Sequence, residues 1–495
     1  MDLELKNVHV LVTGASGGIG LETTRLFLEQ GAKVTAHYNT IASTLDPLIA
    51  EFGSKQIVAA QANLTAEHDV ARLFAESTAA LGPVQVVIIN HGIWPTEDVP
   101  VAQMTLTRWK TTLDTNLTGA FLVAREYLRQ LETAPAVLKE KASICFVGST
   151  SGKYGEAGHA DYAASKSALA YGFTLSLKNE IVKIAPKGRV NCVSPGWVRT
   201  AMAEEALKDP LIVYRALATT PLKKVAIPSD VATQIVVLSS TKLSGHVPVE
   251  ELASKRPACF SNRAQKVTAH YNSNAASLNA LIAEFGSDKI LAAQANLSAE
   301  DDVMRMFSEA SNSALGIVQI LVINHAISPP EDDSVLNMTL ERWRNTIDTN
   351  LTASFLVSRE YLRRLESASD ELKAKAAIVF VGSTAGKYGE AGHADYAASK
   401  SALMYGFMLS LKNEIVKIAP KGRVNCVAPG WVRTPKKEEK LKDPIFVHRA
   451  LATVPLKKPA EPWDIATQII CLSSAKISGH VSGHVVMVDG GMEGY

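Results

Sequence analysis

Tyr162 and Lys166 stand four residues apart in a stretch of helical periodicity, so they share one face of a helix beginning near Ala160. An ammonium beside a phenol favours the phenolate, and the lowered tyrosine pKa suits general acid–base chemistry near neutral pH. Ser149 closes a strand-like run ahead of that helix, and Asn116 lies inside the long helical segment before it. A second group reads as a nucleotide site. Thr13-Gly-Ala-Ser-Gly-Gly-Ile-Gly20 follows the first strand and opens the first helix. Gly14 allows a tight turn, Gly18 permits close approach to a pyrophosphate, and Gly20 lets helix and strand pack closely. The helix N-terminus beyond supplies free N–H groups and partial positive charge. Neither motif alone is specific; their co-occurrence with Asn90, Gly92 and Pro195-Gly-Trp-Val-Arg-Thr200 is.

The elements that must position these residues alternate. Short β-branched runs at 8–12, 34–38, 57–61, 84–90, 143–147 and 189–193 are separated by segments of helical period. That pattern means βαβ units and an α/β fold with a doubly wound parallel sheet, whose ligands gather at the strand carboxyl ends. All the residues above fall on that rim.

A repeat dominates the chain. Residues 148–162 return at 382–396 with one change, Ser151 to Ala385; 33–39 return unchanged at 266–272; 189–200 return at 423–434 with Ser194 changed to Ala428. A shift of this size is a whole domain, not a solenoid unit. The second copy starts abruptly at Lys266, without a first strand, Gly-rich turn or first helix. The first copy departs after Val247, without the final strand that the second carries at 485–488. The expected layout is a first domain over 1–247, a linker over 248–265 and an incomplete second copy over 266–495.

These motifs resemble the short-chain dehydrogenase/reductase superfamily in its single-domain Rossmann branch, and residues 155–162 look like members related to 3-oxoacyl-carrier-protein reductase. The resemblance covers nearly the whole chain. It implies an oxidoreductase that passes hydride between a nicotinamide and a carbonyl or alcohol. Tyr162 would be the general acid or base, and Ser149 would hydrogen-bond the substrate oxygen. Lys166 would lower the tyrosine pKa and hold the nicotinamide ribose, and Asn116 would position a relay water. The cofactor groove would be lined by Gly14, Ser16, Gly18, Ile19, Gly20, Asn39, Asn63, Asn90, Gly92, Pro195, Val198 and Thr200, with Tyr162 and Lys166. Val198 and Thr200 would meet the carboxamide. Asn63 replaces a frequent family aspartate, and His91 replaces a usual alanine and reads as a local filler. The second strand ends Ala36-His-Tyr-Asn-Thr40 without an acid, which favours NADP(H) over NAD(H).

Asn350, Ser383, Tyr396 and Lys400 repeat the chemical set in the second copy, but Ala326 replaces the glycine at 92 and the pyrophosphate turn is gone. Its missing strand belongs mid-sheet, so a gap with unpaired backbone is expected, with the second tyrosine inactive. Strand 485–488 could join either copy. Trp94, Tyr154 and Trp197 are expected to shape the substrate mouth.

Bulk properties fit this reading. Hydrophobic residues make up 47% and charged residues 20%, with a net charge of +2, which points away from nucleic acid or an anionic membrane as main partner. Five cysteines without CxxC spacing argue against a disulfide framework, and Cys145, Cys192 and Cys426 read as small buried thiols. No metal cluster is expected. The N-terminus lacks secretory-signal character and the apolar runs are too short to span a bilayer, so the expected compartment is cytoplasmic. The expected partner is a small carbonyl or alcohol substrate, with the two copies docked as an intramolecular pseudo-dimer or the chain forming a homo-oligomer. Competing readings are a non-catalytic scaffold that kept a cofactor site, and two neighbouring genes joined as one.

Overall fold

A computed structural model describes residues 3–218, 225–241, 266–434 and 442–492. The expected linker over 248–265 lies outside the described residues. In the first half, β1 (His9–Val12), β2 (Lys33–Tyr38), β3 (Ile57–Gln61), β4 (Val86–Ile89), β5 (Ser143–Val147) and β6 (Arg189–Val193) form one parallel sheet in the order β3-β2-β1-β4-β5-β6. Strands β1, β4 and β5 are buried along their whole length, as near-continuous apolar runs in a doubly covered parallel sheet should be. The order reverses at β1, which creates a crevice beside its carboxyl end.

The second half contains β7 (Val267–Tyr271), β8 (Ile290–Gln294), β9 (Ile320–Ile323), β10 (Ala377–Val381), β11 (Arg423–Pro429) and β12 (Val485–Val488). They form two separate sheets, β7-β8 and β12-β11-β10-β9. Strand β1 joins β2 to β4 in the first half; among the described residues no strand joins β7 to β9 in the second. The predicted mid-sheet gap is present, and its exposure is measurable: Val322 of β9 is 42% exposed, whereas its counterpart Ile88 is fully buried. Strand β12 pairs with β11, from Cys426↔Val485 to Pro429↔Val488, and so belongs to its own half.

The halves meet through two long helical segments from each. One runs from 106 to 133 and the other from 160 to 184; their counterparts run from 340 to 366 and from 394 to 418. Trp109 stacks on Phe355 at 4.3 Å, and Trp343 stacks on Phe121 at 4.2 Å, all four fully buried. A Cβ at Gly172 would lie 2.3 Å from the Ala397 carbonyl oxygen, and one at Gly406 would lie 2.3 Å from that of Ala163. Only glycine permits so close an approach of backbones. One continuous hydrophobic cluster contains residues of both halves. Cys145, Cys426 and Cys471 are buried thiols; Cys192 is only partly covered, on β6, which among the described residues ends the first sheet. Among the described residues no helix is long and apolar enough to cross a membrane.

Candidate functional site

The Gly-rich turn leaves β1 under tight control. Thr13 Oγ1 donates to the Ile88 carbonyl at 3.1 Å and accepts the Asn90 N–H at 2.9 Å, tying β1 to β4. Asn90 Nδ2 donates to the Thr13 and Gly14 carbonyls at 3.0 and 3.1 Å. Gly14 takes φ +63°, a left-handed conformation that favours glycine. Its N–H donates to His37 Nδ1 at 3.0 Å, which puts the imidazole proton on Nε2, where it meets the Ala62 carbonyl at 3.0 Å. Burial holds the His37 pKa below the usual histidine value, consistent with a neutral ring. His37 therefore ties the turn to β2 and β3. Sequence reasoning passed over it; a histidine inside an otherwise apolar buried strand was the available signal.

Gly18 opens the helix Gly18–Glu29, whose N-cap Gly17 makes no side-chain hydrogen bond. A Cβ at Gly18 would stand 2.9 Å from Thr200 Cγ2, and one at Gly20 would stand 2.1 Å from the Gly14 carbonyl. These glycines keep open a backbone cradle of the kind a pyrophosphate needs, with Thr200 beside it. Ser16 and Ile19 are partly exposed on the turn, and Val198 bridges to Ala226. The Pro195 carbonyl accepts the Thr150 N–H at 2.9 Å, joining the 195–200 loop to the Ser149 segment. Asn39 and Asn63 are exposed beyond β2 and β3. The Asn63 side chain accepts from Thr65 N and Oγ1, so it caps its own turn. His91 does more than fill space: its Nδ1 lies 2.9 Å from Thr13 Oγ1, and burial first, then the His37 and Lys166 charges, lower its pKa to about 3.

The helix Ala160–Ser167 carries Tyr162 and Lys166 as expected. Lys166 Nζ donates to the Val147 carbonyl at 2.8 Å and sits 5.7 Å from the Tyr162 ring centre. Burial brings the Lys166 pKa down to about 8. The Tyr162 phenol is pushed up, not down: desolvation outweighs the hydrogen bond from Ser149, and the Glu156 charge adds to the rise. That direction departs from the expected lowering by Lys166, which is not among the causes of the rise and whose amine donates instead to the Val147 carbonyl. Asn116 lies in a π-turn (Asp114–Thr118) within its helix; it accepts the Ile93 N–H at 2.7 Å and donates to the Ile93 carbonyl and Ser165 Oγ. A Cβ at Gly92 would lie 3.1 Å from Asn116 Oδ1 and 3.3 Å from Lys166 Nζ, so these three are neighbours.

Outside this set, Trp94 stacks on His159 at 4.6 Å and meets Trp197 edge-on at 5.8 Å, forming an aromatic wall. Tyr154 is not part of it. That side chain is 62% exposed and lines a cavity of about 250 Å³ with Tyr171, Tyr405 and His484, between the halves. Two further residues were missed in the sequence: Ser151 Oγ donates to Glu156 at 2.5 Å, and Glu156 also accepts from Trp94 Nε1 at 3.3 Å. Asp161 is another; it receives Arg108 Nε at 3.2 Å and Thr112 Oγ1 at 2.8 Å, fixing the first turn of the Tyr162 helix.

The second half reproduces the tyrosine side of this arrangement and lacks the nucleotide side. Asn350 repeats the Asn116 contacts, accepting Ile327 N and donating to Ile327 O and Ser399 Oγ. Lys400 Nζ donates to the Val381 carbonyl at 2.8 Å, burial lowers its pKa to about 8, and burial pushes the Tyr396 phenol up to about 12. His270 keeps its Nε2 contact with Ala295 at 2.8 Å, but the sequence has no counterpart of Gly14 to meet its Nδ1.

Residues 8–211 match the family model described as short chain dehydrogenase, and residues 258–493 match one described as Enoyl-(Acyl carrier protein) reductase. A 3-oxoacyl-[acyl-carrier-protein] reductase of Synechocystis sp. is 30% identical over 241 residues, 48% of this chain and 91% of that protein. Nodulation protein G of a Rhizobium species is 34% identical over 239 residues, 48% of this chain and 92% of that protein. Acetoacetyl-CoA reductase of Cupriavidus necator is 29% identical over 232 residues, 46% of this chain and 89% of that protein. With a relative of this identity aligned over nine-tenths of its own length, and with a nucleotide-type turn and a Ser-Tyr-Lys set on one sheet rim, this chain belongs to the short-chain dehydrogenase family of oxidoreductases.

Proposed function

We propose that the chain is an NADP(H)-dependent carbonyl reductase or alcohol dehydrogenase that works through its first half, over residues 1–247. The observation that carries this is the coincidence of the Gly14–Gly20 cradle and the Ser149, Tyr162 and Lys166 set on one sheet rim, found among the described residues in that half alone. Bound nicotinamide would supply or accept the hydride. Tyr162 would give its phenolic proton to the substrate oxygen, or take one in the reverse direction, while Ser149 donates to the same oxygen as charge develops. Lys166, raised in charge cost by burial, would regain a partner when phenolate forms nearby. Asn116 would hold the 93 loop and the Lys166 surroundings in register. The absence of an acid at Asn39 and Thr40 supports NADP(H), since a carboxylate there would repel a 2′-phosphate.

Residues 266–495 would be a tandem copy that lost its first strand and now serves as an intramolecular dimer partner. The relatives' names make 3-oxoacyl thioesters the first substrates to try, beginning with acetoacetyl-CoA. Titration of the full chain with NADPH and NADH tests the reading. One tight NADPH site per chain, with turnover of a carbonyl, is the expected result; two equal sites would defeat the assignment to one half.

A further inference from the structure

A half-buried carboxylate stands one hydroxyl away from Ser149. Ser151 Oγ lies 3.3 Å from Ser149 Oγ and donates to Glu156 Oε2 at 2.5 Å. Trp94 Nε1 donates to the other oxygen, Oε1, at 3.3 Å. The Glu156 backbone is fixed as well, its N–H donating to Ser410 Oγ of the second half at 3.0 Å. Trp94 is held in turn by its stack on His159 and its edge contact with Trp197.

Both donors to Glu156 are neutral. A carboxylate has about four lone-pair positions, and these two bonds leave about half of them open. Among the described residues no lysine or arginine lies within ion-pair distance of it. The basic group in that range is His159 Nδ1 at 3.7 Å, which stands closer to Asp98 at 3.3 Å. The Glu156 side chain is nevertheless only 23% exposed. A charge so placed, with most of its water removed, is a strong acceptor for a ligand that brings its own donor.

The two copies of the chain differ at the supports of this group. The second half keeps Glu390, but Ala385 stands where Ser151 does and Ser328 where Trp94 does, so the Ser151 hydroxyl and the indole donor have both gone. The nucleotide turn and these two donors are thus missing from the same half. Its tyrosine helix, Ala394–Ser401, forms without them, so they are not a requirement of that fold.

We propose that Glu156 selects substrates that carry a hydroxyl or an ammonium on the carbon next to the reacting carbonyl, an inference that rests on the reaction proposed above. Ser149 would meet the substrate oxygen, and the donor on the neighbouring carbon would meet the open side of the carboxylate. One hydroxyl separates Ser149 from Glu156, which suits a substituent of a single carbon and its donor atom. An alkyl group there leaves the open positions of the carboxylate unused, and an anionic group meets like charge. Glu156 is a specificity-determining residue on this reading, with no part in the hydride or proton transfer.

Methyl ketones that differ in one substituent test this with the full chain at saturating reduced nucleotide: 2-butanone, hydroxyacetone, aminoacetone and acetoacetate. Relative kcat/KM should favour hydroxyacetone and aminoacetone over 2-butanone on the order of tenfold or more, with acetoacetate below it. Glu156→Ala should bring all these ratios towards one. Glu156→Gln keeps an acceptor without its charge, so it should cost the aminoacetone ratio more than the hydroxyacetone ratio. Ratios taken within one variant do not depend on how much of it is active. A wild type that favours 2-butanone or acetoacetate, one that reduces acetoacetyl-CoA and none of these ketones, or a preference that survives Glu156→Ala overturns the selection alone. A wild type that binds nucleotide but reduces neither these ketones nor acetoacetyl-CoA overturns the reaction and the selection together.

Discussion

The carboxylate of Glu414, in the second half, accepts the backbone N–H of Gly158, in the first, at 2.9 Å. Its other oxygen accepts the Val101 N–H at 2.6 Å. Gly158 lies four residues before Tyr162, and its carbonyl in turn receives Val99 N and Arg108 Nη2. One buried side chain of the second half therefore fixes the loop that leads into the first half's tyrosine helix. Glu180 repeats the arrangement in mirror image, on Gly392 and Val335.

That pair offers a matched comparison. Glu414→Ala leaves two buried N–H groups without acceptors and should cost about 1–3 kcal/mol of stability. It should also lower kcat on the order of tenfold through misplacement of the 155–161 loop. Glu180→Ala should cost similar stability and leave kcat intact, because the loop it holds leads to Tyr396. Urea unfolding and steady-state kinetics on both variants check this; equal loss of kcat in the two would contradict it.

Tyr162→Phe should reduce kcat by about 10²–10⁴-fold, while Tyr396→Phe leaves it unchanged. The measurement is turnover of the same carbonyl by both variants at saturating NADPH. A large loss from Tyr396→Phe would make the second half an active centre.

Gly18→Asp places a Cβ within 2.9 Å of Thr200 Cγ2 and a negative charge where a pyrophosphate would lie. NADPH binding, followed by fluorescence, should be lost with little change in Tm. Retained binding would remove the turn from the nucleotide site.

Residues 33–39 and 266–272 have the same sequence, so their amides share one intrinsic exchange rate. Strand β2 has neighbours on both sides, whereas among the described residues β7 has β8 alone. Hydrogen exchange should be on the order of tenfold or more faster at 267–271 than at 34–38. Equal protection would mean that the gap is filled in solution.

Burial is the leading cause that lowers His91 and His325 to about 3 and His9 to about 4, against an ordinary 6.5. Each stays neutral when folded, while the unfolded chain takes up protons below 6.5. Their contribution is therefore full above pH 6.5 and lost as pH falls towards 3–4. Lys166 and Lys400, lowered to about 8 from 10.5, act at the other end: stability rises with pH between those values. Urea midpoints at pH 5, 6 and 7.5 should fall on acidification, and a midpoint that rises at pH 5 would reverse the assignment.

Local pattern carried the first sheet, the placement of Tyr162 and Lys166 on one helix, and the loss of a central strand from the second half. Those features depend on period and on sequence order, which are visible residue by residue. Other features depend on what folding brings together. Glu414 and Gly158 are 256 positions apart, and nothing in either segment announces the contact. The rise in the Tyr162 pKa could not be read from its Lys166 neighbour because its leading cause is desolvation, a property of the whole surroundings. Tyr154 was grouped with Trp94 and Trp197 by residue type alone, and the opposite half claimed it. Ser151 was visible as a difference between copies, but its hydrogen bond to Glu156 was not.

The split sheet has a consequence for how this molecule can vary. Two subunits translated from one ordinary gene must share any deletion, and a dimer so assembled also depends on concentration. On the tandem-copy reading proposed above, both partners would leave the ribosome on one chain, in fixed ratio and without dilution. Damage to the middle of one sheet can therefore accumulate on one side only, for as long as the surface bearing Trp343, Phe355, Ser410 and Glu414 stays intact.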